Sequence, residues 1–121
     1  MAAYAVGILY DLEPHADLVE YLGRIDATLA RHGGRFVIHG ARPEVREGSF
    51  DARFIVIEFP SLDDVRAWYE SPGYQVILPL RTKHSRSVVF FVEGIVGPHA
   101  ATDVLAPGVH FKAARSGRAR T

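Results

Sequence analysis

Two hydrophobic periods, alternating along the chain, predict a single α+β domain of the ferredoxin-like type. Four short stretches rich in β-branched and aromatic residues show the two-residue alternation of strands, and two regions between them carry apolar residues at helical spacing. Their order is β-α-β-β-α-β, the split arrangement that lays both helical regions on one face of an antiparallel sheet. A length of 121 residues fits one domain with one core.

The first strand is expected at residues 4–12. Tyr4, Val6, Ile8 and Tyr10 point to one face, and Ala5, Gly7 and Leu9 to the other. Pro14 suits the first turn of a helix, and Leu18, Leu22, Ile25 and Leu29 then follow as one apolar stripe. Glu20 and Arg24, four apart, form a supporting pair on its outer face. Gly33-Gly34 ends this helix, because glycine takes the left-handed conformation that a helix terminus favours. The second and third strands are expected at Arg35–Ala41 and Arg53–Phe59, joined by a connection punctuated by Pro43 and Gly48. Ser61 caps the next helix, with Asp64 in the capping-box position and Val65, Trp68 and Tyr69 on its apolar face. Ser71-Pro72-Gly73 breaks it. A further helical stretch covers residues 74–82, where Pro79 is expected to bend the helix or end it early. The fourth strand is expected at residues 87–95.

The third and fourth strands are apolar on both sides. Helices can cover only one face of the sheet, so the other needs a second cover. A second copy of the chain, packed sheet to sheet, is the expected partner, giving a dimeric α+β barrel. The C-terminal stretch, with Val104, Leu105, Val109 and Phe111, is the competing cover. It is rich in Ala, Gly and Arg, and no helix or strand is expected there. The reading is therefore a domain over residues 1–97 and a basic extension over residues 98–121.

Charge and composition narrow the function. The formal net charge is zero. From His99 onward, Lys112, Arg115, Arg118 and Arg120 face only Asp103, so the rest of the chain carries a matching acidic excess. A mildly acidic body is no platform for nucleic acid, and four spaced charges make a weak polyanion signal. The absence of cysteine excludes disulfides, thiolate catalysis and cysteine metal sites. The N-terminal residues lack a basic stretch before their apolar ones, so no signal peptide is expected. No apolar run is long enough for a bilayer, and the expected location is cytoplasmic.

Candidate chemistry concentrates in a few residues. Glu58 interrupts an apolar strand, where a carboxylate loses solvation unless paired and can serve as a general base. His39 lies across the hairpin from it. One strand register puts His39 and Glu58 on the same face, as proton transfer would require, and the other puts them on opposite faces. Trp68, Tyr69 and Tyr74, around Ser71-Pro72-Gly73, suit either a core or the wall of a pocket. Ser71 lacks a nucleophile-elbow context and is better placed as a helix cap. Arg35 and Arg81 are candidate forks for a carboxylate or phosphate. Gly33-Gly34 is no phosphate loop, since it leads from a helix into a strand. The histidines show neither His-x-His nor a four-residue helical spacing, so no metal is expected.

Several segments also carry a family resemblance. Gly33-Gly34-Arg35-Phe36-Val37, Val56-Ile57-Glu58-Phe59-Pro60-Ser61, Ala67-Trp68-Tyr69-Glu70-Ser71-Pro72-Gly73-Tyr74, Leu80-Arg81 and Val92-Glu93-Gly94 together resemble the domain-of-unknown-function family 1330. The resemblance implies the dimeric α+β barrel superfamily, which includes small monooxygenases and haem-degrading proteins, but no settled activity. This chain departs from the pattern at His39 and in the extension after Gly97.

Three functions fit these residues. The first is an enzyme that needs no cofactor and acts by proton transfer on a small, partly apolar anion. Glu58 or His39 would move the proton, Arg81 with Arg35 would hold the anion, and Trp68, Tyr69, Ser71 and Tyr74 would surround it. The second is a non-catalytic binding or sensing module, and the third a purely structural dimer.

Overall fold

The computed structural model describes residues 1–105. Its strands are β1 (Ala3–Tyr10), β2 (Arg35–Ala41), β3 (Arg53–Phe59) and β4 (Arg86–Glu93). Its helices are α1 (Ala16–Ala30), α2 (Leu62–Glu70) and α3 (Pro72–Thr82), followed by a short 3-10 turn at Ala101–Leu105. The sheet order is β2-β3-β1-β4, with every neighbouring pair antiparallel. This is the ferredoxin-like α+β arrangement.

Local chemistry sets the helix ends. The His15 ring accepts the Asp17 amide and caps α1, which begins just after Pro14. Gly33 takes φ +73°, and the Gly34 amide closes back on the Leu29 carbonyl at 3.1 Å. Ser61 accepts the Asp64 amide at 3.1 Å and donates its hydroxyl to the Asp64 carboxylate at 2.8 Å, fixing the start of α2. Ser71 then both terminates α2 and caps α3, with Pro72 at the first helical position, where its missing N–H costs nothing. Pro79 does not end α3, which continues to Thr82.

The two faces of the sheet differ in what covers them. Ala3, Ala5 and Leu9 of β1 and Ile57 and Phe59 of β3 pack under Tyr21, Ile25 and Leu29 of α1, Val65 and Trp68 of α2, and Tyr74 and Ile77 of α3. On the opposite face, register brings Tyr4 beside Glu58 and Val92, Val6 beside Val56 and Phe90, and Ile8 beside Phe54 and Val88. Val88, Phe90 and Val92 are almost half exposed, as is Val104, so the described part of the C-terminal stretch does not cover them. The 3-10 turn was not expected from the sequence. Val109 and Phe111, and most of the expected basic extension, lie outside the described residues.

Register in β2 is set by two irregularities. Pairing shifts between Phe36 and Ile38, and again between His39 and Ala41. The second shift coincides with Gly40, whose φ is +76°. Each bulge inserts one residue and changes which side chains share a face.

Gly34 is required for steric reasons. A Cβ there would lie 2.6 Å from a ring carbon of Phe59 and 2.9 Å from Leu29 Cδ2, both side chains being buried. Gly34→Ala should destabilise the fold by about 1–3 kcal/mol in urea unfolding. Gly73, whose nearest neighbour would be a Thr28 methyl at 3.8 Å, should accept alanine without loss.

Candidate functional site

The helix-facing side of the sheet holds one strongly polar group in an apolar setting. Arg81, near the end of α3, is 5% exposed. Its Nη1 donates to Ser87 Oγ of β4 at 2.6 Å, and its guanidinium carbon lies 5.9 Å from the Tyr21 ring centre. Among the described residues no carboxylate pairs with it. Beside it, the Tyr21 and Tyr74 hydroxyls are hydrogen-bonded at 2.8 Å. Burial, reinforced by Tyr74, pushes the Tyr21 phenol far up, so it stays neutral. For Arg81, desolvation acts to lower the pKa, but Tyr74 and Tyr21 together outweigh it and the net direction is upward. The site thus contains a full positive charge with no matching anion among the described residues.

A cavity of about 100 Å³ opens onto this group, lined by Leu9, Leu18, Tyr21, Phe36, His39, Ile55 and Arg81, among others. A smaller void of about 40 Å³ adjoins it, sharing Leu9, Tyr21, Ile55 and Arg81 and reaching Trp68, Tyr74 and Gly7. The scale is that of the ~150 Å³ cavity that accepts benzene in an engineered protein. A larger open groove of about 520 Å³ runs between α1 and α3, past Arg24, Thr28 and Ser71, but none of its lining side chains is a buried charge.

The structure divides the residues singled out in the sequence into two groups. His39 pairs with Ile55 and faces the helices, where its ring stacks on Phe36 at 4.0 Å. It therefore shares the cavity with Arg81. Glu58 pairs with Tyr4 and Arg35 and faces the other way. There it accepts a 2.6 Å ion pair from Arg35 and a 3.3 Å hydrogen bond from the Tyr4 hydroxyl. Of the two registers open in the sequence, the one that separates His39 from Glu58 is present. Arg35 and Glu58 together line a shallow recess of about 220 Å³ near Pro60.

The aromatic residues form a connected wall. Trp68 lies 4.2 Å from Tyr74, and its indole N–H donates to Thr28 at 3.0 Å. Tyr69 lies 5.4 Å from Tyr74 and 5.5 Å from Phe91. The Ser71 hydroxyl donates to the Trp68 carbonyl and accepts the Tyr74 amide, so its hydrogen bonds go to the backbone. Sequence reasoning missed Tyr21 and Ser87. Tyr21 carried a usable signal, being three residues after Leu18 and four before Ile25, a polar tip on the apolar stripe. Ser87 carried none.

The model of the family described as Domain of unknown function (DUF1330) matches residues 2–95. The chain belongs to this family. No curated protein matches it. Solved structures share the fold of this DUF1330 domain at low sequence identity. One is the RPA0582 protein of unknown function from Rhodopseudomonas palustris, 14% identical over 79% of this chain and 84% of that one, with a TM-score of 0.62. A dimeric ferredoxin-like protein of unknown function from Jannaschia sp. CCS1 is 14% identical over 78% of this chain and 100% of that one, at 0.60. A single-site variant of SnoaB, a cofactor-independent oxygenase from Streptomyces nogalater, is 17% identical over 83% of this chain and 96% of that one, at 0.55. Among the described residues of the DUF1330 chain, no helix is long and apolar enough to cross a membrane.

The tyrosine pair gives a test of the site's packing. Tyr21→Phe leaves the Tyr74 hydroxyl without its partner in a buried place, and should cost about 1–2 kcal/mol in urea unfolding. Tyr21→Phe with Tyr74→Phe should cost less than the two single changes added, because no orphaned hydroxyl remains.

Proposed function

We propose that this chain is a dimeric enzyme that works without a cofactor on a small, partly apolar anion, moving a proton in the cavity between helices and sheet. The observation that carries this reading is Arg81, a buried guanidinium with no acidic partner among the described residues, facing a mostly apolar cavity that His39 also lines. Keeping an unpaired charge out of water is costly, and a ligand that supplies the missing anion would offset that cost. A carboxylate or an enolate oxygen matches the guanidinium fork.

His39 is the proton-moving group in this reading, because it lines the same cavity. Proton removal from carbon beside a carbonyl leaves an enolate, and Arg81 would stabilise its charge where water is scarce. Trp68 and Tyr74 form the wall at the inner end. Glu58 and Arg35 lie on the far face as an ion pair, so their role would be at the sheet-to-sheet seam. The likeness to SnoaB, described as a cofactor-independent oxygenase, supports chemistry run by protein groups and substrate alone. The cytoplasmic setting expected from the sequence belongs to this proposal.

The dimer is the second part of the reading. On the face away from the helices, Val88, Phe90 and Val92 of β4 and Ile38 of β2 leave large apolar side chains exposed, as a surface that packs against a partner does. The Jannaschia protein of the same fold is described as dimeric. Phe90→Glu should convert a dimer to a monomer in light scattering and leave the helical signal intact. A monomeric parent chain would overturn the sheet-to-sheet arrangement.

Ligand binding should be measured by calorimetry with small aromatic and branched-chain carboxylates, with product formation followed by mass spectrometry. Arg81→Met should weaken binding at least tenfold, and its stability should be unchanged or higher, since an unpaired buried charge is removed. His39→Gln should keep binding and lose turnover. Equal affinity in Arg81→Met and the parent would remove the anion site from the proposal.

A further inference from the structure

A second cluster of chemistry-bearing side chains stands apart from Arg81. His15, Asp17 and His84 meet where the start of α1 touches the turn between α3 and β4, although Asp17 and His84 are 67 positions apart in sequence. Asp17 Oδ2 lies 2.9 Å from His84 Nε2 and 3.6 Å from His15 Nδ1. The two imidazole rings stack with centroids 3.8 Å apart. One ligand atom from each residue lies within 4.8 Å of both others.

The backbone holds these groups in place independently of their side-chain contacts. The Glu13 amide donates to the His84 carbonyl at 3.0 Å, and the Leu18 amide to the His15 carbonyl at 3.0 Å. The side chains are therefore presented by two anchored segments and not by a loose loop. Two imidazoles and a carboxylate are the donors that suit zinc and related divalent ions. A tetrahedral ion with bonds of ~2.1 Å spaces its ligands ~3.4 Å apart. The observed separations of 2.9 and 3.6 Å fall on either side of that spacing. The shorter one is a hydrogen bond and the stacked rings lie only 18° from parallel, so ligation requires the half-exposed His15 ring to turn until both lone pairs meet at the ion.

We propose that His15, Asp17 and His84 form a binding site for one divalent transition ion, represented by Zn²⁺, with water at the fourth position. The His15 Nδ1 atom also accepts the Asp17 amide at 3.0 Å, so ligation through that atom exchanges the helix cap for a metal bond. Lys83 is the neighbouring positive charge that opposes the ion. Bound metal would fasten the α1 start to the α3–β4 turn. Leu12 and Leu18, which flank His15 and Asp17 in sequence, line the cavity beside Arg81, so the ion would also stiffen the rim of that cavity. The site does not depend on the enzymatic reading, and neither outcome below bears on Arg81.

The test uses the full chain, stripped with a chelator and titrated with ZnCl₂ in a calorimeter, with thermal melts in parallel. The parent should bind one Zn²⁺ per chain with micromolar affinity and melt several degrees higher, because an ion that binds only the folded state stabilises it. His84→Ala and Asp17→Asn should each lose at least tenfold in affinity, and His99→Ala should behave as the parent. His15→Asn removes the imidazole and keeps a good helix cap, so its loss of binding reports ligation and not unfolding. Co²⁺ gives a second readout, a tetrahedral visible band in the parent that disappears in His84→Ala. Absence of saturable Zn²⁺ binding, or unchanged affinity in His84→Ala and His15→Asn, would overturn the site and leave a hydrogen-bonded clasp.

Discussion

The helix-facing edge of β1 governs how closely the helices approach the sheet. Ala3, Ala5 and Gly7 follow one another on that face of a central strand, paired on both sides by β3 and β4. Small side chains there let Trp68, Tyr74 and Tyr21 fill the layer between helices and sheet with rings, where larger residues would hold the helices away. The packing is dense at the Ala3 end, where Phe59 and Val65 are almost wholly buried. Toward Gly7 and Leu9 it loosens, and the two voids open there. The cavity thus lies at the Gly7–Leu9 end of the strand, beyond the rings that fill the Ala3 end.

Arg81 occupies the point where dense packing gives way to the cavity. α3 delivers it into the layer through a helix that runs past Pro79, and Ser87 of the next strand holds one of its nitrogens. A guanidinium has five donor hydrogens in a fixed fork; Ser87 takes one, and the Tyr21 and Tyr74 hydroxyls are the other polar groups within its reach. The phenols of Tyr21 and Tyr74 soften the environment without balancing the charge. Such an imbalance is expensive in a purely structural core, which makes it the strongest sign of a ligand in the described residues.

The opposite face follows a different logic. Glu58 carries the charge that looked catalytic in sequence, yet here it is held between Arg35 and Tyr4 on the face away from the helices. Its position at the end of an apolar row puts a polar boundary beside the Val6, Val56 and Phe90 surface. An apolar centre with a charged edge is the anatomy expected of a contact between two proteins. The same residue type thus reads as a base or as a rim according to the face it occupies.

Most of the fold was written locally. Two-residue and 3.6-residue periods, Ser61 and Ser71 as caps, and Gly33-Gly34 as a stop act over a few positions, so the sequence alone determined the elements, their order and the need for a second cover on the sheet. The bounds of β2 and β3 were legible for the same reason. The sites were decided by distance in sequence and by register. The bulge between Phe36 and Ile38 turned His39 toward the helices and away from Glu58, and no local pattern specifies such a shift. Ser87 and Arg81, Tyr21 and Tyr74, and Asp17 and His84 became neighbours only when the sheet and helices closed on one another. Periodicity reports which way a side chain points relative to its own element. Which groups share a buried space, and whether a charge there finds a partner, depends on long-range packing, and only the tertiary structure supplies it.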